Sequence, residues 1–474
     1  MNKQIKILVA LILLSTTLTA NTLNDTTKSI VKIFAIKSTP NYKYPWQTSK
    51  IAKYTGSGAI ISNNRILTAA HVIAGAKQLE IKKENDPKKY IATIKYISHQ
   101  ADLALLEVKD KSFFTNTKQL KLSTDTKVRD KVTVVGYPIG GKNVSTTTGI
   151  VSRIEQQYYV YSGENLLTIQ VDAAINSGNS GGAVVNDNNE LVGIAMMKNL
   201  KASSIAYIVP TVIINTFLDD IKDNNVDGFH KENTYFYSIE NNILKEFYGL
   251  KNGNGIIIST VDKYNKNIKI NDIILAIDGK DIANNGTIKT KYGRISFAHI
   301  YKTKQIGDTV IVDILRDKKL IKVTQIVKRV SSLVNYEYVK APRYMVYGGL
   351  VFTPVTTNYL YKISKTESAK IRKKLYSKKK SEEYQEAITM LGTSFPHSVN
   401  RGYSNWASIL KSVNGIDIKS FKHLASVLDN TKDKYTKFEF FESATIILDT
   451  QKARDSFKSI KSLYRLSSDR VIEN

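Results

Sequence analysis

Asn176-Ser177-Gly178-Asn179-Ser180-Gly181-Gly182-Ala183 is the stretch on which the reading of this chain turns. Ser180 has glycine two places before it and glycine directly after it. Glycine enters positive-φ conformations that side chains disfavour, so the chain can turn tightly around the serine. Such a turn aims the N–H groups of Gly178 and Ser180 to one side, where they can meet a developing oxyanion. A serine hydroxyl is a weak nucleophile at neutral pH. It needs an imidazole to take its proton, and the imidazole needs a carboxylate on its other nitrogen to hold one tautomer.

Two segments upstream offer those partners. Leu67-Thr68-Ala69-Ala70-His71-Val72 supplies an imidazole, and Ala101-Asp102-Leu103-Ala104-Leu105-Leu106 supplies a carboxylate at the start of an apolar run. Taken singly, His71 reads as an ordinary core or surface histidine, Asp102 as a turn residue, and the glycine-rich loop as a turn. Taken together, His71, Asp102 and Ser180 form a candidate catalytic triad. Their chain order is that of chymotrypsin, not of subtilisin or the α/β-hydrolases. Gly178 and Ser180 are the candidate oxyanion donors. The roles are those of the general serine-hydrolase scheme, and no metal or organic cofactor is needed.

Composition bounds the rest. The 474 residues suffice for about three domains. Cysteine is absent, which excludes disulfides, thiolate metal sites and a cysteine nucleophile. Lys and Arg number 69 against 42 Asp and Glu, a formal charge of +27. That charge favours anionic surfaces and allows peripheral contact with an anionic membrane, while no motif indicates a specific nucleic acid. Lys3 and Lys6, the apolar run Ile7–Leu14 and the small and polar residues of Ser15–Ala20 read as a signal peptide over residues 1–20. An exported, periplasmic protein is the expectation.

From Thr27 to Ile221 short apolar runs alternate with Gly, Asn and Asp, the pattern of a β sandwich or barrel. Val212–Ile221 reads as a closing helix with Ile213, Ile214, Phe217 and Ile221 on one face. Residues 223–231 read as a linker. Beyond it the chain echoes itself: Ile274–Ile282 (I-L-A-I-D-G-K-D-I) and Leu410–Ile418 (L-K-S-V-N-G-I-D-I) each place a strand before a D/N-G turn. This predicts two copies of one small module. Between them Lys370–Lys380 is strongly basic and predicts an exposed helix continuing through Glu382–Met390.

At its motifs the sequence resembles the HtrA/Deg family of trypsin-like serine proteases. The matching residues are T-A-A-H-V at Thr68–Val72, D-L-A-L-L at Asp102–Leu106, V-G-Y-P at Val135–Pro138, G-I-V-S-R-I at Gly149–Ile154 and G-N-S-G-G at Gly178–Gly182. P-N-Y-K-Y-P-W-Q at Pro40–Gln47, Tyr347–Phe352, Asn400–Ser404 and Ser412–Ile416 resemble the plant-type members, which carry one PDZ domain and a degenerate second one. The resemblance implies a mainly β fold: a chymotrypsin-like double β-barrel over 27–222, then two small α+β modules, a PDZ domain at 232–332 and a degenerate PDZ-like domain at 340–474. It implies a serine endopeptidase that degrades unfolded or damaged polypeptides in envelope quality control, built as a trimer-based or larger homo-oligomer. The alternative is a holdase that binds unfolded chains, with proteolysis secondary. By alignment with the family, Ala174 lines the pocket for the residue before the cut, and the strand edge Gly193-Ile194-Ala195 pairs with substrate. A preference for small to medium apolar side chains follows. By the same alignment Tyr237-Ser238-Ile239 is the PDZ peptide loop, with Ser238 where glycine is usual.

Overall fold

The computed structural model describes residues 26–473, except 48–49, 199–204, 232–233, 251–252, 262–264, 331, 339, 377–382, 393, 404–406 and 442–443. The expected signal peptide lies outside these residues. The chain divides into two compact units: Met1–Lys37 with Lys53–Val330, and Ser38–Ala52 with Ser331–Asn474.

The first unit begins with two closed barrels. Strands β1 (Ile30–Thr39), β2 (Lys50–Ile61), β3 (Arg65–Thr68), β4 (Ala76–Lys83), β5 (Tyr90–Ser98) and β6 (Leu103–Val108) close in the order β1-β2-β3-β6-β5-β4. The period-2 alternation explains the closure. Ile33 faces Ile81 and Ala35 faces Leu79 across the β1–β4 ladder, and all four are buried. Strands β7 (Lys131–Gly136), β8 (Ser145–Tyr158), β9 (Asn165–Val171), β10 (Ala183–Val185), β11 (Leu191–Lys198) and β12 (Ala206–Pro210) close the second barrel as β10-β11-β12-β9-β8-β7. Closure leaves neither sheet with a free edge. The helix Thr211–Asp220 follows, with Ile213, Ile214 and Phe217 fully buried on the predicted face.

A smaller sheet completes this unit. It contains β13 (Tyr235–Ser238), β14 (Ile256–Thr260), β15 (Ile273–Ile277), β16 (Lys280–Asp281), β19 (Thr309–Arg316) and β20 (Lys319–Ile326), beside the hairpin of β17 (Thr287–Thr290) and β18 (Gly293–Ser296). A nearly buried cluster ties it to the second barrel. Glu164, on the β8–β9 loop, accepts from Lys302 Nζ at 3.0 Å and pairs with Arg329 at 3.6 Å.

The second unit is one sheet, in the order β27-β26-β24-β23-β22-β21-β28 with β25 on β24. Its strands are β21 (Tyr344–Tyr347), β22 (Leu350–Pro354), β23 (Ile388–Met390), β24 (Ser408–Val413), β25 (Ile416–Asp417), β26 (Tyr435–Phe440), β27 (Ile446–Asp449) and β28 (Arg470–Val471). The amphipathic helices Phe421–Asn430 and Thr450–Tyr464 pack their apolar residues into this unit. The connection from β1 to β2 belongs here. The Tyr42 hydroxyl donates to the carbonyls of Lys340 (2.8 Å) and Glu337 (3.2 Å), and Trp46 packs edge-on to Phe395 at 4.8 Å.

The internal echo is structural. In one copy Asp278 and Gly279 have φ of 47° and 72°; in the other Asn414 and Gly415 have 48° and 79°. Positive φ at both central residues is the type I′ hairpin turn. Each turn residue then repeats the same bonds: Asp278 Oδ1 accepts from Ile311 N and Asn414 Oδ1 from Lys437 N, while Ile282 N donates to Leu275 O and Ile418 N to Lys411 O. The predicted long basic helix is corrected. The helix spans Lys365–Tyr376, and Ile388–Met390 is the buried strand β23, paired on both sides by β22 and β24. Ile388, Thr389 and Met390 are β-branched or apolar and carry no charge to hold a solvated helix face. The rest of the basic run, 377–380, lies outside the described residues.

Candidate active site

His71 sits on a single helical turn, Ala70–Ile73, directly after β3. Asp102 sits on the tight turn between β5 and β6, with φ 54° and no exposed surface. The two turns are laced together. Ala70 N donates to Asp102 O at 3.0 Å, His71 N donates to Asp102 Oδ1 at 2.8 Å, and His71 Nδ1 lies 2.7 Å from Asp102 Oδ2. A carboxylate accepts only, so Nδ1 carries the hydrogen and Nε2 is left as the basic atom. Lys37 Nζ donates to the His71 carbonyl at 2.5 Å, and burial pulls this lysine's pKa down to about 8. The Tyr161 ring lies 6.1 Å from the His71 ring, and its hydroxyl meets His99 Nδ1 at 3.0 Å.

Ser180 arrives from the second barrel on the loop before β10. Gly178 has φ 100°, and a Cβ there would fall 2.5 Å from Tyr137 O and 2.6 Å from Ile139 N. Glycine is therefore required by conformation and by space. Gly181 is equally constrained, with φ 82° and Ser57 O at 2.3 Å from an added Cβ. Among the described residues, neither the Gly178 N–H nor the Ser180 N–H donates to a protein acceptor, although Asn179, Gly181 and Gly182 beside them all do. Two unspent donors from alternate residues of one turn are what an oxyanion needs. The Ser180 hydroxyl donates to Met196 O at 3.3 Å, and no hydrogen bond joins it to His71 among the described residues. Proton transfer to Nε2 requires the hydroxyl to turn away from Met196.

The expected substrate-facing residues divide. Ala174 is exposed beside the loop, and its carbonyl accepts from Thr147 Oγ1. Gly193, Ile194 and Ala195 do not present an edge. Ile194 pairs with Ala183 of β10 and Val209 of β12, Gly193 with Val184 and Pro210, and Ala195 exchanges backbone bonds with Gly181 and Gly182. Both sides of that segment are occupied, so its assigned pairing with substrate is corrected. A register shift between Ala195 and Met197 re-aims the strand, and Met196 is the β11 residue that reaches Ser180. No motif marks Met196 in the sequence.

Tyr237 and Ser238 lie in β13, paired with Ile257 and Ile256 of β14. Ile239 is buried, and its N–H is spent on Asn284 O at 3.0 Å. The segment expected to cradle a terminal carboxylate thus has one of its donors already occupied. Beside β13 lies a cavity of about 210 Å³, lined by Phe236, Phe297, Ala298 and Tyr301.

Comparison with known proteins places the chain in a family. A trypsin-like peptidase domain matches residues 56–194 and a PDZ domain matches 334–472. Protease Do-like 4, mitochondrial, of Arabidopsis thaliana is 33% identical over 460 residues, spanning 95% of this chain and 86% of its own length. Protease Do-like 2, chloroplastic, of the same organism is 32% identical over 455 residues, spanning 93% and 74%. Among solved structures, an HtrA-type protease AlgW bound to a decapeptide shares the fold, with a TM-score of 0.50 at 23% identity over 65% of this chain and 98% of its own. The expected periplasmic location is overturned. Relatives matching almost the whole chain are named as mitochondrial and chloroplastic, which points away from a bacterial periplasm. The protein is a serine endopeptidase, and the chain belongs to the HtrA/Deg family of Do-like proteases.

Proposed function

We propose that Ser180 is the nucleophile, His71 the general base and Asp102 its orienting carboxylate, in an enzyme that cuts unfolded or damaged proteins. The observation that carries this reading is the doubly bonded His71–Asp102 pair, placed in the same unit as a serine loop with two unspent N–H groups. Ser180 Oγ attacks the peptide carbonyl carbon while its proton passes to His71 Nε2. The carbonyl oxygen, now negative, takes the Gly178 and Ser180 N–H groups. The C–N bond breaks as His71 gives that proton to the leaving amine. A water, deprotonated by the same imidazole, attacks the acyl-enzyme, and Ser180 leaves with its proton restored.

Ala174 contributes only a methyl group, and Met196, whose carbonyl meets the Ser180 hydroxyl, brings no charged side chain. Both support cleavage after small to medium apolar residues. The extended backbone that such a site accepts is available in unfolded chains, which favours these as substrates. The module bounds 27–222, 232–332 and 340–474 and a trimer-based or larger homo-oligomer belong to the same reading. The exposed Lys370, Arg372 and Lys373 on the helix Lys365–Tyr376 support peripheral contact with an anionic surface. The test is Ser180→Ala with casein as substrate. Turnover should fall on the order of 10⁶-fold, as for triad removal elsewhere, and fluorophosphonate labelling should vanish. Retention of most of the activity would refute the assignment.

A further inference from the structure

We infer that Ser57, on β2 of the first barrel, is a positioning residue for the oxyanion donors of the second barrel. It is fully buried and fully bonded. Its hydroxyl donates to Gly178 O at 2.8 Å and accepts from Tyr137 N at 2.8 Å. Its N–H donates to Ser180 O at 2.9 Å, and its carbonyl accepts from Thr68 Oγ1 at 2.7 Å.

The meaning of these bonds appears when the loop is taken one peptide plane at a time. A peptide unit is rigid, so fixing its carbonyl also fixes its N–H. The plane that carries the Gly178 N–H is held through Ser177 O, which accepts from Ile139 N at 2.8 Å. The plane that carries the Ser180 N–H is held through Asn179 O, which accepts from Gly182 N at 2.9 Å. The plane between them ends in Gly178 O, and the plane after them ends in Ser180 O. Ser57 holds both, the first with its hydroxyl and the second with its backbone. Gly178 at φ 100° has no side chain to resist rotation, so the central plane depends on its bonds: Asn179 N to Asn176 O at one end and Ser57 Oγ at the other. The same hydroxyl anchors Tyr137, whose carbonyl walls Gly178, and so ties the segment 137–139 to the serine loop.

Removing the hydroxyl leaves Tyr137 N–H and Gly178 O buried without this partner, a cost that rotation of the central plane can relieve. That rotation turns the donor planes away from the oxyanion. Ser57 touches neither substrate nor the reacting atoms, so its contribution falls on the transition state and not on substrate binding.

This inference rests on the roles proposed for Ser180 and Gly178. The experiment compares wild type, Ser57→Ala and Ser57→Cys for peptide hydrolysis and for affinity toward a peptide boronic acid, whose tetrahedral adduct places an oxygen on the two N–H groups. Substrate affinity is measured separately in a Ser180→Ala background. Ser57→Ala should lower kcat and boronate affinity together, by at least tenfold and at most by the roughly 10²–10³-fold that one oxyanion donor is worth. KM and substrate affinity should stay within about twofold, and Ser57→Cys, a weaker donor, should fall between. If Ser57→Ala does not fold, the same two ratios on Ser57→Cys decide. A variant that melts lower but keeps kcat and boronate affinity within twofold would overturn the inference, as would a loss confined to KM. Failure of fluorophosphonate to label Ser180 in wild type would instead remove the parent reading.

Discussion

Asp102→Asn isolates the part of the site that is already assembled. In the wild type, Oδ1 accepts from His71 N and Oδ2 faces His71 Nδ1. Asparagine has one oxygen for these two places. The backbone N–H can only donate, so the oxygen goes to it and the amide NH₂ turns to Nδ1. Nδ1 must then accept, which moves the ring hydrogen to Nε2, the atom needed as base. Volume and backbone bonds are retained, so folding should be nearly unaffected. The equivalent change in the chymotrypsin-like scheme lowers kcat about 10⁴-fold, or about 5.5 kcal/mol of transition-state stabilisation at about 1.4 kcal/mol per decade. Steady-state hydrolysis of an apolar peptide reads kcat, and a thermal melt checks the fold. A folded variant with more than a tenth of the wild-type kcat would refute the tautomer argument and with it the role of Asp102.

Two further outcomes follow from burial. His99, His230 and His299 are each held near pKa 4 by burial. Unfolded, they bind protons below about 6.5. Between these values the unfolded chain takes up protons that the folded one does not, so stability should fall as pH drops from 6.5 toward 4, by at most on the order of 3 kcal/mol per histidine. Melting temperatures that stay level from pH 7 to 4.5 would contradict this. Tyr42→Phe removes the hydroxyl shared by the Glu337 and Lys340 carbonyls. It should destabilise the second unit by about 1–2 kcal/mol, read as a lower denaturant midpoint at unchanged slope; an unchanged midpoint would show that these bonds contribute nothing.

The residues of the candidate site stand out in the sequence more clearly than the geometry around them. Gly178, Ser180, His71 and Asp102 stand out because the proposed chemistry restricts each to one residue type, and the structure gives Gly178 a φ of 100° and buries Asp102 against His71. The hairpin turns Asp278-Gly279 and Asn414-Gly415 are legible for the same reason. The family likeness puts substrate at Gly193–Ala195, whereas the ladders to β10 and β12 that fill this segment, and the register shift after Ala195, are long-range features that strand residues do not advertise. The expected helix runs on into Ile388–Met390, which is strand β23, because a basic run shows exposure but not where regular structure stops. Ser57 is silent in sequence, since a serine between two glycines signals only a turn, and the four bonds that give it meaning come from residues as distant as Ser180.

The assignment of Ser38–Ala52 to the second unit has a consequence for biosynthesis. A ribosome delivers the Tyr42 and Trp46 rings early, yet Phe395 and the carbonyls of Glu337 and Lys340 emerge only after both barrels have been made. Until then the hairpin carries bare aromatic surface. The nascent protease therefore ought to be most prone to aggregation late in translation, and a transcript truncated before the last module should yield a sticky product even if its barrels have closed.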